Sequence, residues 1–310
     1  MTEHRRSEEQ SPDRHASNPG VPRAVMSVDV EDWFQVENLK GAIPRDTWES
    51  QPRRVVANTR RILDILERTG IHGTFFCLGW IAEREAALIR EIADRGHEVA
   101  SHGYDHRLIY EQRPSEFRDD VVRAKHLLED ISGAPVLGYR APSFSITDEA
   151  IDILAQTGYR YDSSWFPVAG HDRYGRVDMQ RHMRGAAETG GNSTAEASAA
   201  SIPLANGLIE LPITTVRIGR HPVPWGGGGW FRLYPQRLFV SGFRRSLSRC
   251  GGGTFYLHPW EVDPDQPRVR GIRRSYAFRH YVNLHRTGER LEQLCRHVPF
   301  VRADEFLELR

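Results

Sequence analysis

The feature that most constrains this chain is a repeated alternation of short apolar runs with amphipathic segments of helical periodicity. The apolar runs at 24–30, 72–78 and 97–101 are the length of buried strands, and the segments at 53–69 and 81–95 carry apolar residues at helical spacing. Glycines follow the helical segments and mark their ends. Strands that alternate with helices across short turns predict a parallel sheet with helical crossovers, an α/β fold.

The same alternation continues towards the C-terminus. A predicted helix at 118–131 precedes a strand at 136–139, and Thr147 is a suitable N-cap for a helix at 148–156. Further predicted strands cover 159–162, 208–216, 254–258 and 298–302, and the last predicted helix covers 303–309. In parallel sheets of this kind the functional residues lie at the carboxyl ends of the strands.

Three segments interrupt the alternation. Residues 1–23 are polar and charged, which predicts a disordered N-terminal tail, so that the folded domain covers 24–310. Residues 177–201 are small and polar and predict a mobile surface insertion. Residues 225–235 contain four consecutive glycines between aromatic residues and predict a flexible loop.

Composition excludes several classes of protein. The 42 basic and 41 acidic residues leave a net charge of +1, and we find no basic stripe, so a nucleic-acid-binding module is disfavoured. The three cysteines indicate no disulfide framework. No apolar run is long enough to span a membrane, and no secretory signal is evident, so a cytoplasmic location is expected. The oligomeric state stays open.

Acidic and histidine residues follow the predicted strands. Asp29, Glu31 and Asp32 gather carboxylates at the end of an apolar run, an arrangement that is costly unless a cation or a proton relieves it. His102 and His106 are spaced i and i+4, so they can face one metal ion if the segment makes a helical turn. A solvated acidic turn and a chance histidine pair are the ordinary explanations for the two clusters.

Two more residues complete the set. Arg140 follows a predicted strand, where its guanidinium can hold a carboxylate in a fixed orientation. His258 stands at a strand end before a proline, where it can act as an acid, although a structural role is about equally plausible. Two histidines and one carboxylate leave open coordination positions, which a hydrolytic metal site requires.

These motifs resemble those of the polysaccharide deacetylases of the nodulation-protein type, a carbohydrate esterase family. The resemblance covers roughly residues 24–310 and is closest to the branch associated with exosortase and exopolysaccharide gene clusters. It rests on Ser27-Val-Asp-Val-Glu-Asp-Trp-Phe34, Gly73-Thr-Phe-Phe76, Ser101-His-Gly-Tyr-Asp-His106, Gly138-Tyr-Arg-Ala-Pro142, Gly228-Gly-Trp-Phe-Arg232, His258-Pro-Trp-Glu261, Asp263-Pro264 and Gln266-Pro-Arg268.

The resemblance implies a distorted (β/α)7 barrel with a C-terminal extension specific to the branch, and a bound divalent metal ion, zinc above all. It implies a hydrolase of non-peptide C–N bonds that removes N-acetyl or O-acetyl groups from a bacterial exopolysaccharide or its oligosaccharides. Carried over residue by residue, it makes Asp29 the general base, Arg140 its orienting partner, His258 the general acid, and His102 and His106 metal ligands.

The first motif departs from the family pattern of two adjacent aspartates, because Val30 follows Asp29. Strand alternation places Glu31 on the side of Asp29, so we favour Glu31 as the third ligand, with Asp32 as the alternative.

Aromatic residues predict a substrate-binding surface, since flat apolar sugar faces stack on aromatic rings. The candidates are Trp33, Pro142, Trp165, Trp230 and Trp260, and core packing is an equally good explanation for each tryptophan.

Two other functions fit the motifs. One is a metal-dependent amidohydrolase that acts on a small cyclic amide or imide, since related enzymes share the acid-x-acid pattern. The other is a catalytically inactive barrel that binds carbohydrate, although such proteins usually lack a ligand or the base.

Overall fold

The computed structural model describes residues 22–168, 174–183 and 199–309. The predicted N-terminal tail, 1–23, lies outside these residues except for its last two positions. The predicted insertion at 177–201 also lies outside them over 184–198. Among the described residues, no helix is both long and apolar enough to cross a membrane.

Strands and helices alternate through the first half of the chain, as the sequence predicts. The strands are β1 (Ala24–Val30), β2 (Thr74–Cys77), β3 (Glu98–Ser101), β4 (Gly138–Tyr139), β5 (Tyr161–Asp162), β6 (Ile202–Pro203), β7 (Ile209–Glu210), β8 (Thr215–Ile218), β9 (His221–Pro224), β10 (Thr254–Leu257) and β11 (Phe300–Val301). The helices are α1 (Val55–Thr69), α2 (Gly79–Arg84), α3 (Ala86–Asp94), α4 (Pro114–Ser132), α5 (Asp148–Gln156), α6 (Met179–His182), α7 (Gly228–Leu233), α8 (Gln236–Cys250), α9 (Arg274–Tyr281), α10 (Leu284–His297) and α11 (Ala303–Phe306).

One curved sheet organises the molecule, with the strand order β10-β1-β2-β3-β4-β5-β7-β6 and with β11 beside β1. All pairs in this sheet are parallel except β6 with β7. Irregular backbone beyond β7 reaches the edge strand β10, because the Thr214 N–H donates to the Thr254 carbonyl oxygen and the Gly226 carbonyl oxygen accepts from the Tyr256 N–H. The arrangement is the α/β fold that the sequence predicts, a distorted barrel whose helices pack around the sheet.

The sheet is covered on both faces, which explains the continuous apolar runs in the sequence. Every residue of β1 is buried, as are all those of β2, β3 and β10. Helix α1 turns Ile62, Leu63 and Leu66 inward, and Gly70 ends it with a left-handed φ of 66°. Because these strands are buried, their carboxyl ends have defined positions, and so do the side chains of the residues that directly follow them.

Several predicted boundaries are wrong. The predicted helix at 81–95 is two helices that meet at Glu85, and the predicted strand at 208–216 divides between β7 and the separate hairpin β8–β9. The predicted loop at 225–235 contains helix α7. Helices α8, α9 and α10 were not predicted.

Candidate active site

The residues singled out in the sequence meet at the carboxyl ends of the parallel strands. Asp29 lies near the end of β1, His102 directly follows β3, Arg140 directly follows β4, and His258 directly follows β10. The strands β10, β1, β2, β3 and β4 are neighbours in the sheet, so positions far apart in the chain come together here.

Glu31, His102 and His106 form a cluster that could hold a metal ion. One ligand atom from each residue lies within 4.8 Å of the others, and all three side chains are buried. The Glu31 Oε2 to His106 Nε2 distance is 2.8 Å. Two imidazoles and one carboxylate form a ligand set typical of catalytic zinc sites.

The two histidines converge without the helical turn that their spacing suggested. Residues 102–106 form an irregular loop in which Gly103 has a φ of 74° and His106 a φ of 58°. Asp120 accepts a hydrogen bond from the Tyr104 N–H at 3.0 Å and so holds the loop. A left-handed φ at a residue other than glycine is costly and is common at functional sites.

The protonation states of the cluster suit a cation. The His102 Nδ1 lies 2.8 Å from the Arg140 carbonyl oxygen, so Nδ1 carries the proton and Nε2 is left as a ligand. Burial lowers the pKa of His102 to about 4, which keeps the imidazole neutral. Burial would raise the pKa of Glu31, but His106 and His258 outweigh it and hold that pKa at about 2. These groups therefore fit a divalent metal ion.

Asp29 is held beside this cluster by a buried arginine. The Arg140 guanidinium donates to Asp29 Oδ1 at 2.7 Å and to Ser27 Oγ at 2.9 Å. It also donates to the carbonyl oxygen of Ser163 at 3.0 Å and to the Ser163 hydroxyl at 2.8 Å. Since Arg140 is fully buried, these four contacts fix Asp29 Oδ1 and leave Oδ2 facing the site.

His258 lies close to the carboxylates of both Asp29 and Glu31. Its Nε2 lies 3.8 Å from Asp29 Oδ2 and 3.5 Å from Glu31 Oε1, and its Nδ1 lies 2.8 Å from Glu261 Oε1. Burial would lower the pKa of His258, but Glu31, Glu261 and Asp29 outweigh it and raise that pKa to about 9. The imidazole is therefore charged at neutral pH and can donate a proton.

Three residues that support this site were not predicted in these roles. Glu261 holds His258 and accepts a hydrogen bond from the buried Arg232 at 2.7 Å. The Trp260 indole N–H donates to Glu31 Oε1 at 3.1 Å, and its ring stacks on His258. An available sequence cue was the His-Pro-Trp-Glu spacing, which matches a capping box and which this turn uses.

Asp32, the alternative third ligand, lies outside the cluster, so its assignment to the metal site is wrong. Its Oδ1 accepts from the Trp33 N–H at 2.9 Å, and its Oδ2 accepts from the N–H groups of Arg54 and Val55 at 2.7 and 3.0 Å. Asp32 therefore anchors the start of helix α1. It points away from Glu31 because successive side chains on an extended segment alternate in direction.

A cavity of about 480 Å³ opens over Asp29, Glu31, His102, His106 and His258. Trp230, which is 37% exposed, stands in its wall, and the buried Trp260 forms part of its lining. Such a volume accommodates a small ligand or a short stretch of polymer.

The other three proposed substrate contacts are not among the residues that line this cavity. Trp33 is a buried core residue whose indole N–H donates to the Pro52 carbonyl oxygen at 3.1 Å. Trp165 packs against the hydrophobic core. Pro142 is buried at the start of a short 3-10 helix, and its successors Ser143 and Phe144 reach the cavity instead.

Comparison with known families agrees with the geometry. Residues 46–161 match the family described as Polysaccharide deacetylase, and residues 163–308 match a Domain of unknown function (DUF3473). A polysaccharide deacetylase domain is thus present in this chain. His102, His106 and Arg140 lie within that match, whereas His258 lies in the second matched region.

Curated relatives carry related names. A peptidoglycan deacetylase-like protein of Gibberella zeae is 34% identical over 36% of this chain and 33% of its own length. A peptidoglycan deacetylase of Helicobacter pylori is 28% identical over 34% of this chain and 36% of its own, and a chitooligosaccharide deacetylase of Bradyrhizobium is 29% identical over 32% and 46%. The chain thus spans a third to a half of these relatives' lengths.

A solved structure from Mycobacterium smegmatis, described as a polysaccharide deacetylase, shares the fold. It covers 94% of this chain and 90% of its own, with a TM-score of 0.54 and 19% sequence identity. The predicted distorted barrel is confirmed by this likeness.

Proposed function

We propose that this protein is a metal-dependent hydrolase that removes acetyl groups from the sugar residues of a polysaccharide. The observation that carries the proposal is the meeting of three groups in one cavity. The cluster of Glu31, His102 and His106 lies beside Asp29, which Arg140 holds, and across from His258. A cation site, a base and an acid are the parts that hydrolysis of an acetamide requires.

When bound, a divalent ion polarises the acetyl carbonyl and makes water more acidic. Asp29 Oδ2 accepts the proton of the attacking water, while Arg140 keeps the other oxygen in place. His258 donates its Nε2 proton to the departing amine, which leaves acetate and a free amino sugar. A backbone N–H of the segment after Arg140, where Ser143 lines the cavity, is the donor we expect to stabilise the oxyanion.

The substrate class rests on the relatives and on the cavity. The names of the curated relatives specify acetylated cell-wall or chitin-type sugars, and Trp230 gives the cavity an aromatic wall suited to a sugar ring. We infer an acetylated hexosamine polymer, processed as part of exopolysaccharide synthesis, with an amide as the scissile group. Zinc is the metal we expect.

The two alternatives are less well supported. A catalytically inactive, carbohydrate-binding barrel does not require a base, an acid and three metal ligands. This site contains all of these groups, and they lie close to one another. An amidohydrolase for a small cyclic amide would have the same catalytic groups. The exposed Trp230 at the cavity wall favours an extended sugar over a small ring.

The test is acetate release from acetylated chitooligosaccharides, with ring opening of a cyclic imide measured in parallel. We expect acetate release that a chelator abolishes and that added Zn²⁺ restores. Asp29→Asn should reduce the rate about 10²- to 10⁴-fold. The exposed Asp64→Asn serves as the matched control and should have the rate of the unmodified protein. Ring opening without acetate release, or full activity after chelation, would refute the proposal.

A further inference from the structure

Positive charge is concentrated in one part of the chain, although the total is balanced. None of residues 211–260 is Asp or Glu, whereas seven are arginines: Arg217, Arg220, Arg232, Arg237, Arg244, Arg245 and Arg249. The expectation that the chain has no basic stripe is therefore wrong. Since the whole protein carries a net charge of +1, the remaining residues are net acidic and the molecule is polarised.

The fold brings most of these arginines to one groove. Hairpin β8–β9 and helix α8 border a cavity of about 850 Å³ whose lining includes Arg217, Arg220, Arg245 and Arg249. Among the described residues that line it, none is acidic. An acid-free surface with several guanidinium groups attracts anions, phosphates in particular.

Two exposed aliphatic side chains stand in the same groove. Ile218, at the end of β8 before the hairpin turn, is 62% exposed, and Leu238 in the first turn of α8 is 53% exposed. A single exposed leucine or isoleucine is ordinary on a protein surface. Two of them between arginines, on adjoining elements, form the combination found where proteins rest on bilayer surfaces.

We propose that this groove docks the protein on an anionic phospholipid surface. Arginine stems can lie along the acyl boundary while their guanidinium groups reach the lipid phosphates, and Ile218 and Leu238 enter the headgroup layer. A nucleic acid fits less well, because single-stranded bases stack on exposed aromatic rings. The tryptophan in this groove, Trp225, is only 5% exposed.

The groove adjoins the catalytic cavity. Pro222 lines the groove and Pro224 lines the cavity, and both belong to strand β9. Docking through the groove would therefore hold the catalytic cavity within a few residues of the lipid surface. The docking itself does not depend on the catalytic activity.

Sedimentation of the full chain with phospholipid vesicles tests this. We expect binding to vesicles of phosphatidylcholine with 30% phosphatidylglycerol, little binding to pure phosphatidylcholine, and weaker binding at high salt. Arg245→Gln with Arg249→Gln should weaken binding about 30-fold, because each arginine near an anionic surface is worth about fivefold. Leu238→Ser should weaken it severalfold at any salt concentration.

The matched control is Arg90→Gln with Arg113→Gln, which removes the same amount of positive charge. Arg90 lies in α3 and Arg113 directly precedes α4, and both are exposed. Thermal unfolding checks that each variant is folded. Equal binding to neutral vesicles, or an equal loss in the control, would overturn the proposal. So would capture of dextran sulfate or an oligonucleotide without vesicle binding. Asp29→Asn should bind vesicles normally, which separates this test from that of the proposed function.

Discussion

At the scale of single residues, each charged group of the site has a buried partner that sets its orientation. Arg140 fixes Asp29, and Trp260 donates to Glu31. Glu261 fixes the Nδ1 side of His258. A hydrogen bond at Nδ1 directs Nε2 towards the carboxylates, so the orientation of the acid depends on Glu261.

Glu261→Gln should lower kcat about 10²-fold with little change in KM, because the amide cannot stabilise the charged imidazole as the carboxylate does. Steady-state kinetics on an acetylated oligosaccharide measures this. Asp263→Asn is the matched control, since Asp263 is a buried carboxylate close by that pairs with Arg54. It should reduce stability but not kcat. Equal kcat losses in both variants would mean that Glu261 is only structural.

Trp230→Ala should raise KM about 2- to 10-fold with kcat nearly unchanged, because a stacked ring stabilises the bound sugar by about 0.5–1.5 kcal/mol. The control is Trp165→Phe, at a position that does not line the cavity. An unchanged KM in Trp230→Ala would place the sugar elsewhere.

The sequence predicted the chemical groups of the site better than the residues around it. Glu31 could be favoured over Asp32 because side-chain alternation follows from extended backbone, but Asp32 stayed an alternative until the structure placed it at the start of α1. The substrate wall could not be predicted in the same way. Trp33 and Trp230 are both aromatic residues beside motifs, and only the packing shows that one is in the core and the other at the cavity.

At the scale of elements, glycines explain why two of the helices, α8 and α10, were missed. Gly242 and Gly288 lie inside α8 and α10 and resemble helix breakers in the sequence. A Cβ on Gly242 would come within 2.5 Å of the Trp225 ring, so this glycine is a close-packing position in a regular helix. The strands of the first half carried no such ambiguity, because their apolar runs are buried on both faces.

The glycine run 226–229, whose last two residues begin α7, makes a similar point and can be tested. A Cβ on Gly228 would lie 2.2 Å from Glu261 Oε1, whereas one on Gly229 meets nothing within 4 Å. Gly228→Ala should lower the free energy of unfolding by about 1–3 kcal/mol and reduce activity by displacing Glu261. Gly229→Ala should leave stability unchanged or raise it by up to about 1 kcal/mol. Chemical denaturation measures both, and equal effects would contradict the packing described for this run.

At the scale of the whole molecule, one buried carboxyl group joins distant parts of the barrel. Glu98 accepts hydrogen bonds from Thr74 at 2.6 Å, from Tyr161 at 2.9 Å and from the Asp304 N–H at 3.1 Å. It thereby links β3 with β2, β5 and α11. Burial, with a contribution from Asp304, raises the pKa of Glu98 to about 7.

A raised pKa means that the folded state keeps this proton after the unfolded chain has lost it. The contribution of Glu98 to stability should therefore fall as pH rises from about 4.5 to about 7, and stay constant above that. Glu98→Gln should remove this fall, so the variant gains about 1–3 kcal/mol relative to the unmodified protein between pH 5 and 8. Unfolding measured across this range, with the exposed Glu67→Gln as control, checks it. If the free energy of unfolding had the same pH dependence in the unmodified protein, Glu98→Gln and Glu67→Gln, the raised pKa assigned to Glu98 would be contradicted.

The cytoplasmic location stays a prediction, whereas the metal site can be tested directly. The decisive measurement is the metal content of the purified chain after loading with Zn²⁺ and desalting, for the unmodified protein and for Glu31→Gln, His106→Ala and Asp32→Asn. One equivalent in the unmodified protein and in Asp32→Asn, with none retained by the other two variants, is the predicted result. No bound metal in the unmodified protein, or retention by Glu31→Gln together with loss in Asp32→Asn, would contradict it.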